Sequence, residues 1–186
     1  MFRSSFGNLG PLSDCFLVSY DWTLVEKFDA NWDQRLRAIY DYWRKLPRPT
    51  APLSRTLPAR RSWDVLDVAP VMPHTRFLEA RPWENPPGWR YLCRLVGTDQ
   101  ADALGMDPTG QWMDQAEPAT WNDERFMERQ LAMRSHRLPT WRRGRVMFER
   151  DRLPGMLECL QLPFASDGIN VDMIADITFY SANTPA

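Results

Sequence analysis

The sequence has few of the residues that most often build disulfides, metal sites and membrane spans. It contains three cysteines and two histidines. Cys15, Cys93 and Cys159 lie far apart and form no CxxC pair, which argues against a disulfide framework or a zinc site. No stretch approaches the roughly 18–20 consecutive apolar residues of a membrane helix, and the first residues do not resemble a signal peptide. These absences predict a cytoplasmic protein.

Short catalytic motifs are also missing. The chain has no GxSxG elbow, P-loop, GxGxxG or HExxH pattern. His74 follows Pro73, and His136 lies in an Arg-rich stretch, so neither is in a pattern typical of a haem or metal ligand. A cysteine or serine nucleophile paired in space with either histidine stays open, because such partners meet only in the fold. We therefore expect no enzyme and no metal site, and the sequence names no cofactor.

What the chain does contain is typical of a globular domain. Of its 186 residues, 44% are apolar and 25% charged, which is enough apolar surface for one packed core. Charge is divided along the chain: residues 99–128 hold eight acids and one arginine, and residues 129–152 hold eight arginines and two acids. Because arginine outnumbers lysine 21 to 2 throughout, we attribute the arginine content to a GC-rich genome rather than to recognition.

The N-terminal third divides into three predicted parts. Residues 1–29 show no clear period and are predicted to be an irregular lead-in. Residues 30–58 are predicted to be an amphipathic helix over 30–46, capped by Asp29, followed by a proline-rich linker. Residues 59–182 are predicted to form the main domain, beginning with a short helix near 62–69.

The main domain shows the pattern of an α+β fold. Two strands, 75–82 and 89–97, are followed by short helices near 98–104 and 111–116 and a longer helix over about 119–137, whose buried side should carry Phe126, Met127 and Leu131. Three further strands are predicted at 141–150, 155–164 and 169–180. Neighbouring hairpins favour an antiparallel sheet. The sequence therefore predicts a five-stranded sheet with helices packed on one face.

One segment resembles a known family. Arg94-Leu95-Val96-Gly97-Thr98, then Gly105, then Asp107-Pro108-Thr109-Gly110, resembles the RLxGT…GxDxTG core of a divergent bacterial PAS family. Flanking elements that match it are Tyr42-Trp43, Leu57-Pro58-Ala59-Arg60, Leu162-Pro163-Phe164 and Asp167-Gly168. The resemblance covers about residues 30–181 and implies a PAS-like fold. It also implies a sensory or regulatory role exercised through protein contacts, with room for a small ligand between sheet and helices.

The residues of this motif also have a structural interpretation. Gly97 ends a strand at a sharp turn, Thr98 is placed to cap the next helix, and Gly105 and Gly110 suit left-handed positions. Asp107 and Thr109 suit local side-chain turns. Arg94 lies on a strand and is expected to pair with Asp99, Asp102 or Asp107, or to anchor a ligand carboxylate or phosphate. Candidates for lining a ligand pocket are Trp112, Met113, Phe126, Trp141 and Phe148, which serve equally well as ordinary core.

Two surface roles complete the predictions. Trp32, Tyr40 and Trp43 on the N-terminal helix are candidates for docking a protein partner or a second copy. The Arg-rich region 134–152, with Arg142, Arg143 and Arg145 around Trp141, gives the alternative of nucleic-acid or anion binding. An uncharacterised small-molecule enzyme stays open as another alternative. Nucleic acid is disfavoured because the neighbouring acidic segment repels phosphate.

Overall fold

The computed structural model describes residues 15–49, 55–84, 87–148 and 153–182. Within these ranges, six strands form one antiparallel sheet in the order β1-β4-β5-β6-β2-β3. The strands are β1 (Cys15–Leu24), β2 (Thr75–Glu84), β3 (Pro87–Val96), β4 (Thr140–Phe148), β5 (Leu153–Phe164) and β6 (Met173–Ala182). The helices are α1 (Gln34–Lys45), α2 (Thr98–Leu104), α3 (Met113–Ala116), α4 (Pro118–Trp121) and α5 (Glu124–His136). Two short 3-10 helices, Arg60–Ser62 and Ala69–His74, precede β2.

The predicted α+β class is confirmed, and so is the order of two strands, a helical crossing and three strands. The last strand, β6, pairs with both β5 and β2, which joins the end of the chain to the middle of the sheet. The predicted strand count of five is wrong, because β1 adds a sixth strand that pairs with β4. This strand lies inside the predicted irregular lead-in. Polar residues such as Asp21 obscured its alternation, and Asp21 is exposed where β1 forms the edge of the sheet.

Helices cover both faces of the sheet, which corrects the expectation of one covered face. Residues directly opposite each other on antiparallel strands share a face. The register therefore places Phe77, Leu160, Leu162, Ile177 and Phe179 on one face. Arg35 of α1 lies over the Phe179 ring, and the Trp43 indole N–H of α1 donates to the Pro163 carbonyl at 3.1 Å. We call this the α1 face.

Helix α1 begins later than its sequence pattern predicts. The N-cap is Asp33, whose carboxylate accepts from the Arg35 backbone N–H at 2.8 Å, rather than Asp29. Asp29 instead forms a local turn with Asn31. Leu36, Ile39 and Trp43 form the buried stripe of the helix, at the spacing expected for one apolar face. The predicted amphipathic helix is thus present but shorter.

The opposite face of the sheet carries Arg76, Arg142 and Asp176 and is covered by α2 to α5. We call it the cluster face. Here the predicted buried side of α5 is confirmed for Phe126 but is wrong for Met127 and Leu131, which are 38% and 65% exposed. The buried stripe of α5 consists of Phe126, Arg129, Gln130 and Met133. These positions have regular helical spacing, but two of them are polar, so a search for apolar periodicity could not find the stripe.

The glycines of the family-like motif shape the helical crossing between β3 and β4. Gly105 and Gly110 adopt left-handed backbone angles, with φ of 70° and 81°, as expected. Gly97 is the N-cap of α2, and a Cβ there would lie 2.2 Å from the Met72 carbonyl oxygen. The side chain of Thr98 does not cap the helix, since within the described chain α2 has no side-chain cap. The Asp107 carboxylate accepts from the Thr109 backbone N–H at 2.9 Å, which forms the expected local turn.

No described helix combines the length and the apolar character that crossing a membrane requires.

Candidate ligand site between the sheet and the helices

The cluster face carries charged and amide side chains in the interior of the protein. Asp176 of β6 lies opposite Arg76 of β2 and Gln161 of β5. Arg142 of β4 lies in the next row, opposite Cys159. All of these side chains are at most 6% exposed. Strand pairing alone therefore brings these side chains together on four adjacent strands, β4, β5, β6 and β2.

Asp176 is the centre of this arrangement. Its carboxylate accepts hydrogen bonds from Gln161 Nε2 and Thr178 Oγ1, both at 2.8 Å. Arg76 Nη2 and Arg142 Nη2 approach it at 3.5 and 4.0 Å. Burial opposes ionisation of Asp176, but the Arg76 and Arg142 guanidinium groups and the hydrogen bonds from Gln161 and Thr178 together outweigh it and hold the pKa of the carboxyl below its usual range. Asp176 is therefore a charged, fully satisfied acceptor at neutral pH.

Glu117 supplies a second buried carboxylate from the helical side. It lies at the junction of α3 and α4 and is 4% exposed. Its Oε1 accepts from Arg76 Nη1. Arg76 therefore joins the helices to the sheet through two carboxylates, and the pairing explains how an arginine is tolerated in the core.

Arg129 of α5 is buried without such compensation. It is 1% exposed, and its Nε and Nη1 hydrogens have no partner among the described residues. Its guanidinium carbon lies 5.6 Å from the centre of the Tyr20 ring. Burial, together with the positive charge of Arg142, lowers the pKa of Arg129 to about 10. Arg129 is still protonated at neutral pH, so the interior holds an uncompensated positive charge.

Tyr20 connects β1 to this region. Arg125, Arg129 and Arg142 each place a guanidinium carbon within 5.8 Å of its ring centre. Its hydroxyl donates to Asp123 Oδ2 at 2.9 Å. Burial raises the pKa of Tyr20 to about 12, so the phenol stays protonated and keeps this donor. The strand that the sequence did not reveal thus supplies an aromatic wall beside the arginines.

A small cavity of about 30 Å³ lies next to Arg76 and Arg142. Helices α2 and α4 contribute Leu104 and Thr120, and Glu117 lines it between α3 and α4. The strands complete the wall with Val146, Leu157 and Tyr180. The cavity has room for one or two water-sized groups. It is the point at which a ligand would meet the buried charges.

A larger groove of about 500 Å³ lies on the opposite side of the sheet, near the start of α1. Arg143 lines the groove, Arg35 pairs with Asp33, and the Asp33 backbone N–H donates to Glu158 Oε1 at 2.6 Å. Trp141 Nε1 also donates to Glu158 Oε1, at 2.9 Å. Among the described residues, no lining residue of this groove has a buried polar side-chain atom without a partner, whereas Arg76 and Arg142 of the smaller cavity do.

The pocket residues proposed from sequence do not converge on either cavity. Met113 and Phe126 are buried in the apolar core, where Phe126 meets Tyr91 edge to face. Trp112 lies beside edge strand β3, near Arg90 and Trp83. Trp141 is on the α1 face, stacked on Trp32 at 4.5 Å. The side chain of Phe148 lies outside the described residues.

Arg94 does not have the predicted environment. Its side chain is 54% exposed, and its Nε contacts Glu79 Oε2 at 3.3 Å rather than an acid of the crossing segment. Phe77 pairs with Leu95 and Leu78 with Cys93, so Arg94 is the extra residue of a β-bulge on an edge strand. The buried arginine of this hairpin is Arg76.

The aromatic residues proposed for partner docking are largely internal. Tyr40 and Trp43 are 4% and 5% exposed, and the half-buried Trp32 lies against Trp141. Helix α1 uses these rings to cover its own sheet, because a six-stranded sheet has an apolar face that needs a cover. The surface proposed for docking is thus occupied by intramolecular packing.

The Arg-rich run is divided by strand alternation. Arg142 points into the cluster face, whereas Arg143 and Arg145 are exposed. Residues 149–152 of the run lie outside the described residues. The three arginines around Trp141 therefore do not form one continuous basic patch.

The interior charged cluster consists of Arg76, Glu117, Arg129, Arg142 and Asp176. Of these, only Arg142 was a candidate from the sequence, as part of the basic run considered for nucleic-acid or anion binding, and the other four were missed. Because helices were expected on only one face of the sheet, a buried polar side of β6 was not anticipated. One available signal was Ile174, an apolar residue on the same side as Asp176, which indicates that this side is also covered. The cluster was otherwise hidden, because its members come from five separate elements or junctions.

Comparison with protein-family models, curated proteins and solved structures gave no match in any of the three searches.

Proposed function

We propose that this chain is a PAS-like sensory or regulatory module that binds a small ligand between its sheet and helices α2 to α5 and acts through a protein partner. The proposal is supported by the family-like motif and by the α+β architecture, in which two strands, a helical crossing and three strands enclose an interior site. It describes a binding module rather than an enzyme.

The observation that carries the proposal is the charged cluster beside a cavity in the protein interior. Burying ion pairs is costly, and well-packed apolar residues of similar volume often give equal or greater stability. The α1 face of this sheet is covered by such apolar packing. Stability alone therefore does not account for three arginines and two carboxylates on the other face, whereas ligand recognition does.

Partner contact remains part of the proposal as an implication of the resemblance. It is not assigned to Tyr40 or Trp43, because both rings are used inside the protein.

Amide hydrogen exchange on the full chain tests the proposal. The protein is compared with and without a filtrate of small molecules from the organism that encodes it. We expect slower exchange in α2 to α5 and in β4 to β6, with little change in α1. Native mass spectrometry of the protein purified from that organism then shows whether an organic molecule or a second subunit is retained. Unchanged exchange on the cluster face, together with a bare monomer, would contradict the proposal.

A further inference from the structure

The five members of the charged cluster do not balance. Arg76, Arg129 and Arg142 carry three positive charges, and Glu117 and Asp176 carry two negative charges. All five residues are at most 6% exposed. The remaining positive charge lies in a region where an unpaired ion is far more costly than at the surface.

The arginines also have hydrogen-bond donors to spare. Among the described residues, the buried Nε atoms of Arg76, Arg129 and Arg142 and Nη1 of Arg129 have no partner. A buried donor without a partner is destabilising. A negatively charged acceptor that reached Arg76 and Arg142 would both satisfy donors and balance the charge.

The cavity next to Arg76 and Arg142 is placed to receive such an acceptor. Thr120 adds a hydroxyl to the wall, and Leu104, Val146 and Leu157 add apolar contacts. The Glu117 carboxylate also lines the cavity, but it already accepts from Arg76. A volume of about 30 Å³ matches a group of about the size of one or two water molecules.

We propose that this cavity binds a small monovalent anion of the size of chloride or formate, held by the Arg76 and Arg142 guanidinium groups. The anion is monovalent because the cluster has one positive charge in excess. This inference rests on the proposed function, since it names the class of ligand for the same site.

A salt series on the full-length protein tests the inference. The thermal unfolding midpoint is measured in sodium chloride, formate, acetate and phosphate at constant ionic strength, with sodium gluconate as the bulky balancing salt. We expect the midpoint to rise and saturate with chloride or formate. Phosphate, which is larger and carries more charge, should give a smaller rise or none. Isothermal titration with formate gives the affinity directly.

Two variants test whether the anion binds in this cavity, and a third variant serves as the matched control. Arg142→Met removes a guanidinium from the cavity and should weaken formate binding by about tenfold or more, since a hydrogen bond to a charged group is worth at least that factor. Leu104→Phe keeps every charge but fills the cavity, and it should abolish saturation even if Arg142→Met does not fold. Arg143→Met removes the same charge from the neighbouring exposed position and should bind like the wild type.

The outcomes separate this inference from the proposed function. A midpoint that does not depend on the anion, or a dependence that survives in both Arg142→Met and Leu104→Phe, overturns the anion site. If the cellular filtrate still protects the cluster face in hydrogen exchange, the ligand is a different molecule and the proposed function stands. If neither the salts nor the filtrate has an effect, both fail.

Discussion

The two faces of the sheet are both covered by helices, yet they are packed with different chemistry. On the α1 face, Leu36, Ile39 and Trp43 meet apolar and aromatic side chains of the strands. On the cluster face, Gln130 Nε2 of α5 donates to Gln161 Oε1 at 3.0 Å, and the buried Arg129 of the same helix is close enough to Arg142 for their positive charges to interact. The first face is therefore held by apolar packing, whereas the second face carries the charged cluster to which we assign the proposed ligand site.

The two faces also differ in how their packing stabilises the fold. An apolar interface gains free energy in proportion to the area it removes from water. A buried network of charges depends on each partner, because removal of one leaves another unpaired. The change in the free energy of unfolding caused by a substitution should therefore differ between the two faces, both in its size and in its dependence on pH and on ligand.

The largest expected effect is on the α1 face. Trp43→Ala should lower the free energy of unfolding by about 3–5 kcal/mol, because it removes a buried aromatic ring and leaves a cavity. Urea unfolding followed by circular dichroism measures the change. Leu66→Ala, at a position 84% exposed, is the control and should stay within about 0.5 kcal/mol of the wild type. A loss below about 1 kcal/mol for Trp43→Ala would show that α1 contributes little to the core.

A somewhat smaller effect is expected on the cluster face. Asp176→Asn should cost about 3 kcal/mol, because it leaves Arg76 and Arg142 with too little compensating charge. The same unfolding experiment measures it at pH 7. Asp102→Asn, at an exposed position of α2, is the matched control. If both variants are equally stable, the ion pairs of Asp176 do not stabilise the fold.

The pH dependence of stability sharpens this comparison. The folded-state pKa of Asp176 is depressed, so its stabilising contribution is fully present above the unfolded-state pKa of about 3.9 and is lost as the pH falls toward the folded pKa. The gap in unfolding free energy between wild type and Asp176→Asn should narrow as the pH falls from about 5 to about 2. Trp43→Ala should keep a nearly constant gap over that range. Parallel curves for Asp176→Asn would argue against a depressed pKa.

The smallest expected change in the free energy of unfolding is an increase rather than a decrease. Arg129→Met should raise the free energy of unfolding by about 1 kcal/mol in gluconate buffer, because it replaces an unpaired buried cation with an apolar side chain of similar length. Arg143→Met, at an exposed position of β4, should be close to neutral. A loss of more than about 1 kcal/mol in Arg129→Met would mean that Arg129 stabilises the protein without any ligand.

The strands and the short helix α2 were largely predictable, because their patterns are local. Helix α2 has the predicted bounds of 98–104, and β2 to β6 lie within a few residues of their predicted positions. Gly105 and Gly110 were assigned correctly, since a left-handed backbone strongly favours glycine. Strand β1 was missed because its exposed edge carries polar residues, and the buried side of α5 was missed because that side is partly polar.

The candidate site was not predictable in the same way. Arg94 was chosen for its place between two apolar residues, but a β-bulge turns it outward, and bulges leave no reliable mark in a single sequence. Arg76, on the neighbouring strand, is buried, because β2 lies inside the sheet and β3 at its edge. Which arginine is internal depends on strand order, and strand order depends on contacts between distant segments.

By itself, the sequence determined the class of fold, the position of most strands and the glycine-dependent turns, because these follow from the side chains of a few consecutive residues. Only the tertiary structure decided that a sixth strand closes against β4, that α1 covers the second face and that Arg76 and Arg142 share two buried carboxylates. The physical reason is that burial and charge pairing depend on which segments meet. Alternation along a strand shows which residues share a side, but not what covers that side.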